Sequence, residues 1–498
     1  MANTRAFAAI DLGATSGRVM LSRYQGGRLS LDEVHRFNND AVRYNGEVHW
    51  NLPKIWSEIQ YGIDQLEGPG IGGVDSIGVD AWGVDYALLG EQGSLIENPY
   101  HYRDSRTDGV MDQVLGRIGV RRIYEATGIQ FMPINTLYQL YAAQARTPRL
   151  LAAASHLVTI PDLINYWLTG TIACEYTNAS TTQFLLQETG TWATGLLEEL
   201  GLPTHLLTRI VAPGTVLGPL HRETTSVTAR SRTIVVAPAC HDTGSAVASI
   251  RTGPDTAFIS SGTWSLLGTE IPNAAVTPVA QALNFTNEGG VCGTIRLLKN
   301  ITGLWLLESC VARWAVEGQC WPWADLFRMA ERATPARSLL DPDDPAFVCP
   351  ADMRRAIDEF CTGTGQPVPE EPGAYVRAIL EGLALKYRRV LGELQAITSR
   401  RVRTIRVIGG GARNDLLNQL IADVSGCVVL AGPVEAAALG NVAMQMLVSG
   451  CVGALNEARD VIAASHPPRG FEPSGTSEWD SVYRRFEDIL QHRGTKTK

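Results

Sequence analysis

A short apolar run at residues 7–10 stops at Asp11-Leu12-Gly13-Ala14-Thr15-Ser16-Gly17 and resumes at 19–21. The same pattern returns in the second half, where residues 257–260 lead into Ser261-Gly262-Thr263 and Leu266-Leu267-Gly268 follows. Strand, small-residue turn, strand, met twice, constrains the fold more than any other feature. Apolar runs this short, bounded by Gly, Ser and Thr, read as strands rather than helices. A third run at 29–34 follows Gly26-Gly27, so the chain is expected to open as antiparallel strands. A helix is expected over Leu52–Leu66, a buried strand over 76–80, and strands alternate with helices to Ile234–Ala237, the signature of α/β layers. Further on, Tyr375, Ile379, Leu383, Tyr387, Leu391 and Leu394 form a helical stripe, and a strand at 406–408 ends in Gly409-Gly410-Gly411 before a helix over 414–424. The last ~10 residues, ending in GTKTK, are expected to fray.

With 498 residues the chain exceeds what one core can hold, since single cores stop growing near ~250–300 residues. Two domains are expected, over 1–248 and 249–498. A net charge of −8 argues against a nucleic-acid surface or a polybasic membrane patch. Nine scattered cysteines without a C-x-x-C pair suggest reduced thiols and no zinc site. The apolar stretch before Asp11 is too short for a signal peptide, and no run is long enough to span a bilayer, so the cytoplasm is the expected compartment.

Five segments can carry chemistry. In Gly13-Ala14-Thr15-Ser16-Gly17 the glycines let the backbone turn and present N–H groups to an anion, the hydroxyls add donors, and Asp11 at the strand end can hold a hydrated Mg²⁺ through water. The alternative is an ordinary hairpin turn. No glycine precedes a lysine, so this is not a P-loop, and Gly70-Ile71-Gly72 has Asp75 where a dinucleotide fingerprint needs its third glycine. Ser260-Ser261-Gly262-Thr263-Trp264-Ser265 is a second such turn; a pair of them, one opening each half, is what a phosphate clamp requires. Gly409-Gly410-Gly411 lets a flat ligand lie on bare backbone, or is simply a loop.

His241-Asp242-Thr243-Gly244-Ser245 follows the strand Ile234–Ala237. A carboxylate at a strand's carboxyl end is well placed to face a ligand, and transfer of a phosphoryl group to a hydroxyl needs a base for its proton. Aspartate, as a rule ionised at neutral pH, suits that role, though capping a helix is an equally common one. In Asp80-Ala81-Trp82-Gly83-Val84-Asp85, Gly83 can admit a ligand hydroxyl to the backbone and Trp82 can wall a pocket; the plainer alternative makes Trp82 core and Gly83 a bulge. Asn300, Glu308, Arg103 and Arg106 taken singly are more often surface or packing residues than ligands.

Together the blocks DLGATSGR, SSGTWSLLG and IGGGARNDLLNQLIAD resemble the two phosphate motifs and the adenosine motif of the actin–hexokinase–Hsp70 class, and their order and spacing are similar to those of the FGGY carbohydrate kinases. Further blocks carry the resemblance from about residue 7 to 445: HRFNN, DSIGVDAWGVDYALL, YRDSRTDG, TGIQFMPINTLYQL, EYTNASTTQ, HDTGSA, NEGG, LLKNITGLWLL and GPVEAAALGN. The resemblance implies two ribonuclease-H-like α/β domains with a cleft between them, the first for sugar and first phosphate loop, the second for nucleotide. It implies ATP and Mg²⁺ and a small-molecule sugar as the partners. Asp242 matches the catalytic base; His241, Thr243, Gly83 and Asn300 match sugar contacts; Gly13, Ala14, Thr15, Ser16 and Gly17, with Thr263 and Gly410, match ATP contacts. Glu308 stands where the family carries an ATP-contacting glutamine, and a carboxylate there is unexpected. Kinases of xylulose, fuculose, ribulose or glycerol share these motifs. A non-catalytic sugar sensor is the more distant alternative, disfavoured because Asp242 and both phosphate turns are kept.

Overall fold

The computed structural model describes residues 4–66, 71, 73–224 and 233–494. Gly70, Gly72 and residues 495–498 lie outside the described residues. The rest of the tail expected to fray is helical instead, since a helix runs over Thr476–Gly494.

Contacts divide the chain into two units. The first comprises Met1–Arg251, Glu270–Leu297 and Ala436–Pro467, the second Thr252–Thr269, Leu298–Glu435 and Pro468–Lys498.

The first unit is built on a six-stranded sheet. Strands Arg5–Leu12, Ser16–Gln25 and Arg28–Asn38 form the expected antiparallel meander, with Gly26 and Gly27 both at positive φ in the second turn. On its other side Arg5–Leu12 pairs in parallel with Ser76–Ala81, which pairs in parallel with Ile234–Ala237; Thr215–Pro219 closes that edge antiparallel. Parallel strands covered on both faces read as unbroken apolar runs rather than alternating ones, and Phe7, Ala8, Ala9 and Ile10 are all fully buried. One face carries the helix Ala436–Val448, where Leu439, Val442 and Met446 pack with Phe7, Ala9 and Met20. The other carries Leu52–Leu66, whose Gly62 lies against Val19.

The helix Ala436–Val448 also packs on the short helix Asp242–Ala248, and this contact is close. A Cβ added at Gly440 would stand 1.6 Å from the backbone oxygen of Ser245. A polar chain runs under the same helix. Asn441 donates to Asp80 (2.7 Å), Gln445 donates to Asn441 (2.7 Å) and to the carbonyl of Ala8 (2.8 Å), and Ser76 donates to Gln445 (2.6 Å).

The second unit repeats the opening theme. Thr256–Ser261 and Trp264–Ile271 form an antiparallel hairpin, and Thr256–Ser261 pairs in parallel with Thr404–Ile408, which pairs in parallel with Val428–Ala431. Arg469–Phe471 closes that edge antiparallel, and Ile295–Thr302 lies beyond Trp264–Ile271. The predicted stripe lies on the helix Pro372–Thr398, with all six of its residues buried. Asn414 caps the helix Asp415–Ser425 by accepting from the Leu417 amide.

Two glycine substitutions test this packing. Gly440→Ala drives a methyl group into backbone and should destabilise the protein by at least the ~1–3 kcal/mol typical of overpacking, seen as a lowered melting temperature in a thermal scan. Gly392→Ala, exposed on the long helix with open space where its Cβ would go, should instead gain up to about 1 kcal/mol from helix propensity.

Candidate active site

Sheet register assembles the site of the first unit. Asp11 pairs with Asp80 across the parallel strands, and Ala81 bridges in parallel to His241. Asp11, Asp80, His241 and Asp242 therefore meet at the carboxyl edge of the three parallel strands, where open α/β sheets bind ligands. Asp80 is fully buried. Its Oδ2 accepts from Asn441, and its Oδ1 has no hydrogen-bond partner. Burial, with the charge of Asp11 added, holds the Asp80 carboxyl well above the usual carboxylate range; the Asn441 bond opposes the shift. Asp11 is held by Arg18, at 2.8 Å.

The first turn is a compact loop. The Gly13 amide donates to the Ser16 carbonyl (2.9 Å), while Asn39, just past the third strand, clasps it, its side chain donating to the Gly13 carbonyl (2.8 Å) and its amide to the Thr15 carbonyl (3.0 Å). Thr15 is exposed, and Ala14 and Ser16 are half-buried. Gly17 has a packing reason of its own, since a Cβ there would lie 2.2 Å from the Phe37 ring.

Gly83 sits in a strained turn. The Asp85 amide donates to the Gly83 carbonyl (2.9 Å) across Val84, whose φ is +67°. A two-residue return with positive φ is the rarer, strained γ-turn, and a β-branched residue there is an outlier. Such strain persists only where the surroundings hold it. Here Thr181 Oγ1 accepts the Val84 amide (3.2 Å), and Thr136 donates to the Val84 carbonyl (2.6 Å). Trp82 is core rather than pocket wall. It is buried against Trp50, and both indoles donate to the Asp85 carboxylate, at 3.0 and 2.6 Å. Arg106 is likewise a packing residue, stacked 3.7 Å over Tyr100 and donating to Gln139.

Asp242 opens the helix Asp242–Ala248, so it is in the helix's first turn without being its cap, a position that belongs to His241. Its Oδ1 accepts from the Thr243 amide and hydroxyl and lies 3.4 Å from His241 Nε2. Those contacts hold the carboxylate through one oxygen, Oδ1. His241 and Thr243 are buried, while the Asp242 side chain keeps 30% of its exposure.

The segment Glu175–Thr181 ties these loops together. The buried Glu175 carboxylate accepts from Thr177 and from the amide of Cys240 (2.9 Å). Burial pushes its carboxyl up to about 7 against those bonds. Thr177 Oγ1 accepts the His241 amide (3.1 Å), Asn178 donates to the Trp82 carbonyl (3.3 Å), and Ser180 Oγ accepts the Gly289 amide (2.8 Å). Sequence reasoning quoted this segment as a block and gave its residues no role; the S/T/N density of EYTNASTT was the available signal.

In the second unit the parallel pairing of Ser260 with Ile408 brings the second turn against the three glycines. A Cβ at Gly411 would meet Ser261 Oγ at 2.0 Å, and Gly409 has φ +83°, so both are fixed by packing. At Gly410 a Cβ would meet open space, which leaves a bare face there. The Thr263 hydroxyl donates to Glu308, at 3.0 and 3.3 Å from its two oxygens. The amides of Gly303 and Leu304 donate to the carbonyls of Thr263 and Gly262 (3.1 and 2.9 Å). Asn300, half-buried, is on the strand Ile295–Thr302 that leads into those amides.

Among the described residues no three His, Cys, Asp or Glu side chains cluster as a metal site. Asp11, in register with an Asp80 that keeps an orphaned oxygen, is a donor set that suits a hard cation reached through water rather than one caged by protein.

The amino-terminal domain model of the FGGY family of carbohydrate kinases matches residues 6–249, and the carboxyl-terminal domain model matches 257–448. The chain is 43% identical to the rhamnulokinase of Bacteroides thetaiotaomicron over 97% of its own length and 99% of that protein's. It is also 43% identical to the rhamnulokinase of Pectobacterium carotovorum, over 97% and 96%. Its fold is similar to that of a xylulose kinase from Lactobacillus acidophilus, with a TM-score of 0.80 at 18% identity and 98% coverage of both chains. Two domain matches in family order, with identity of this depth over almost the whole length, place the chain in the FGGY family of carbohydrate kinases.

Proposed function

We propose that this chain transfers the γ-phosphoryl group of ATP to the C1 hydroxyl of L-rhamnulose, giving ADP and L-rhamnulose 1-phosphate. The chemistry rests on Asp242, a carboxylate anchored through Oδ1 at the carboxyl edge of the sheet. The choice of sugar rests on the likeness to rhamnulokinases over 97% of the chain.

Residues 1–248 supply the sugar subsite and first phosphate loop, and residues 249–498 the nucleotide subsite. Asp242 accepts the C1 hydroxyl proton as the new O–P bond forms and the β,γ-bridging bond breaks, and later releases that proton to water. His241, Thr243, Gly83 and Asn300 orient the sugar hydroxyls. The turn Gly13–Gly17, with Thr263 and Gly410, positions the nucleotide. Asp11 would hold Mg²⁺ through water, and the ion would supply neutralisation of charge on the phosphates. Among the described residues no helix is long and apolar enough to cross a membrane; the cytoplasm, where ATP is supplied, is the compartment proposed.

Three measurements test these assignments. Asp242→Asn keeps shape and removes basicity, so kcat should fall by about 10²–10⁴ with an unchanged circular-dichroism spectrum; a variant that keeps most of its activity excludes Asp242 as the base. Glu308→Gln keeps an acceptor for Thr263 and removes a negative charge beside the nucleotide, so the KM for ATP should fall by about two- to fivefold while that for sugar stays put. Across a panel of purified sugars assayed by ADP release, L-rhamnulose should have the highest kcat/KM. Ketoses differing only at the far end should trail by about 10–200-fold, and glycerol should be very poor. If xylulose, ribulose or fuculose wins, the kinase assignment stands and the sugar changes.

A further inference from the structure

His241 is gripped at its ring nitrogen Nδ1 by a buried arginine. Arg296 is wholly buried, and its Nη2 lies 3.1 Å from His241 Nδ1 while its Nε donates to the Gly289 carbonyl at 2.9 Å. Glu288, also buried, stands 3.2 Å from Arg296 Nη1 and 3.4 Å from His241 Nδ1. On the far side of the ring, Nε2 lies 3.4 Å from Asp242 Oδ1 and 3.3 Å from where a Cβ on Gly83 would sit.

A guanidinium has donors and no acceptor, so a contact between Nη2 and Nδ1 is a hydrogen bond only if Nδ1 presents its lone pair. The ring then carries its proton on Nε2, and that N–H points into the space bounded by Gly83 and Asp242. With Arg296 gone, Glu288 would stand 3.4 Å from Nδ1 just as Asp242 Oδ1 stands 3.4 Å from Nε2, so the proton would be shared between the two nitrogens and Nε2 would be an acceptor part of the time.

Burying an arginine and a glutamate together contributes little net stability, because desolvation cancels most of their attraction, and a hydrogen bond on one ring nitrogen of a histidine sets which of the two carries the proton.

We propose that Arg296 is a positioning residue. Held by Glu288, it fixes the tautomer of His241 so that Nε2–H is a constant hydrogen-bond donor to an oxygen of the ketose. This rests on the reading that His241 contacts the sugar, but the state of the ring can be measured without any sugar.

The test uses the full chain labelled with ¹⁵N-histidine. In long-range ¹H–¹⁵N spectra of the sugar-free protein, His241, assigned by the peaks lost in His241→Gln, should show a protonated Nε2 and a bare Nδ1. In Arg296→Met the two tautomers should be mixed. Arg296→Met should also raise the sugar KM by about two- to tenfold, up to one hydrogen bond's worth, with kcat and the KM for ATP nearly unchanged. Arg296→Lys, which again only donates, should restore much of the loss. If Arg296→Met fails to fold, Arg296→Gln, whose amide can either donate to or accept from Nδ1, should again show mixed tautomers and is read in the same way. A proton on Nδ1 in the unsubstituted protein overturns the proposal, whatever the substrate proves to be. So does a substituted protein whose sugar and ATP constants rise together, which would mark Arg296 as structural. The sugar panel fails independently, since a different best ketose would replace L-rhamnulose in the kinetic arm and leave the spectra untouched.

Discussion

The parallel pairing of three short strands governs the first unit. Ser76–Ala81 lies between Arg5–Leu12 and Ile234–Ala237, and because parallel strands end on the same side, their polar terminal residues arrive at one edge. Register does the rest: Asp11 opposite Asp80, Ala81 opposite His241. A slip of one residue would turn Asp80 to the opposite face of the sheet and break its bond to Asn441. The buried chain Asp80–Asn441–Gln445–Ser76 opposes such a slip, because each member would lose a partner in a place water does not reach.

That dependence explains what could be read from the sequence and what could not. The strand–turn–strand openings, the helix Leu52–Leu66 and the stripe on Pro372–Thr398 were legible because their causes are local, being the spacing of apolar residues and the glycines between them. Asp242 was legible because its position after a strand follows from neighbouring residues. Asn441 was not, since its partner is 361 positions away and nothing near it in sequence signals a buried carboxylate. Asn39, which clasps the first turn across 26 positions, is hidden for the same reason. Trp82 follows the plainer of its two readings: Asp85, three residues on, and Trp50, distant in sequence, hold it in the core.

Glycines at the site fall into two kinds that sequence cannot separate. Gly17, Gly411 and Gly440 are required by neighbours that leave no room for a methyl group, whereas Gly410 has open space beside it. Only the second kind leaves backbone bare for a ligand, so the three consecutive glycines of the second unit divide their labour. Gly409 and Gly411 fit the loop against Ser261, and Gly410 is left to face outward.

The strain at Val84 and the burial of Glu175 belong to one arrangement. A β-branched residue at φ +67° is stable only if its amide and carbonyl are both held, and Thr181 and Thr136 hold them. Thr181 can do so because Glu175 anchors the start of its segment and, through the Cys240 amide, the approach to His241. Gly83 and His241, distant in sequence, are thus set against each other by a single polar segment. A carboxylate pushed up to about 7 by burial is the cost of that anchor. An apolar residue at 175 would avoid this burial but would leave the amides of Thr177, Asn178 and Cys240 without their acceptor. The carboxyl is kept because four donors converge on it, and those donors fix where the loops of Gly83 and His241 begin.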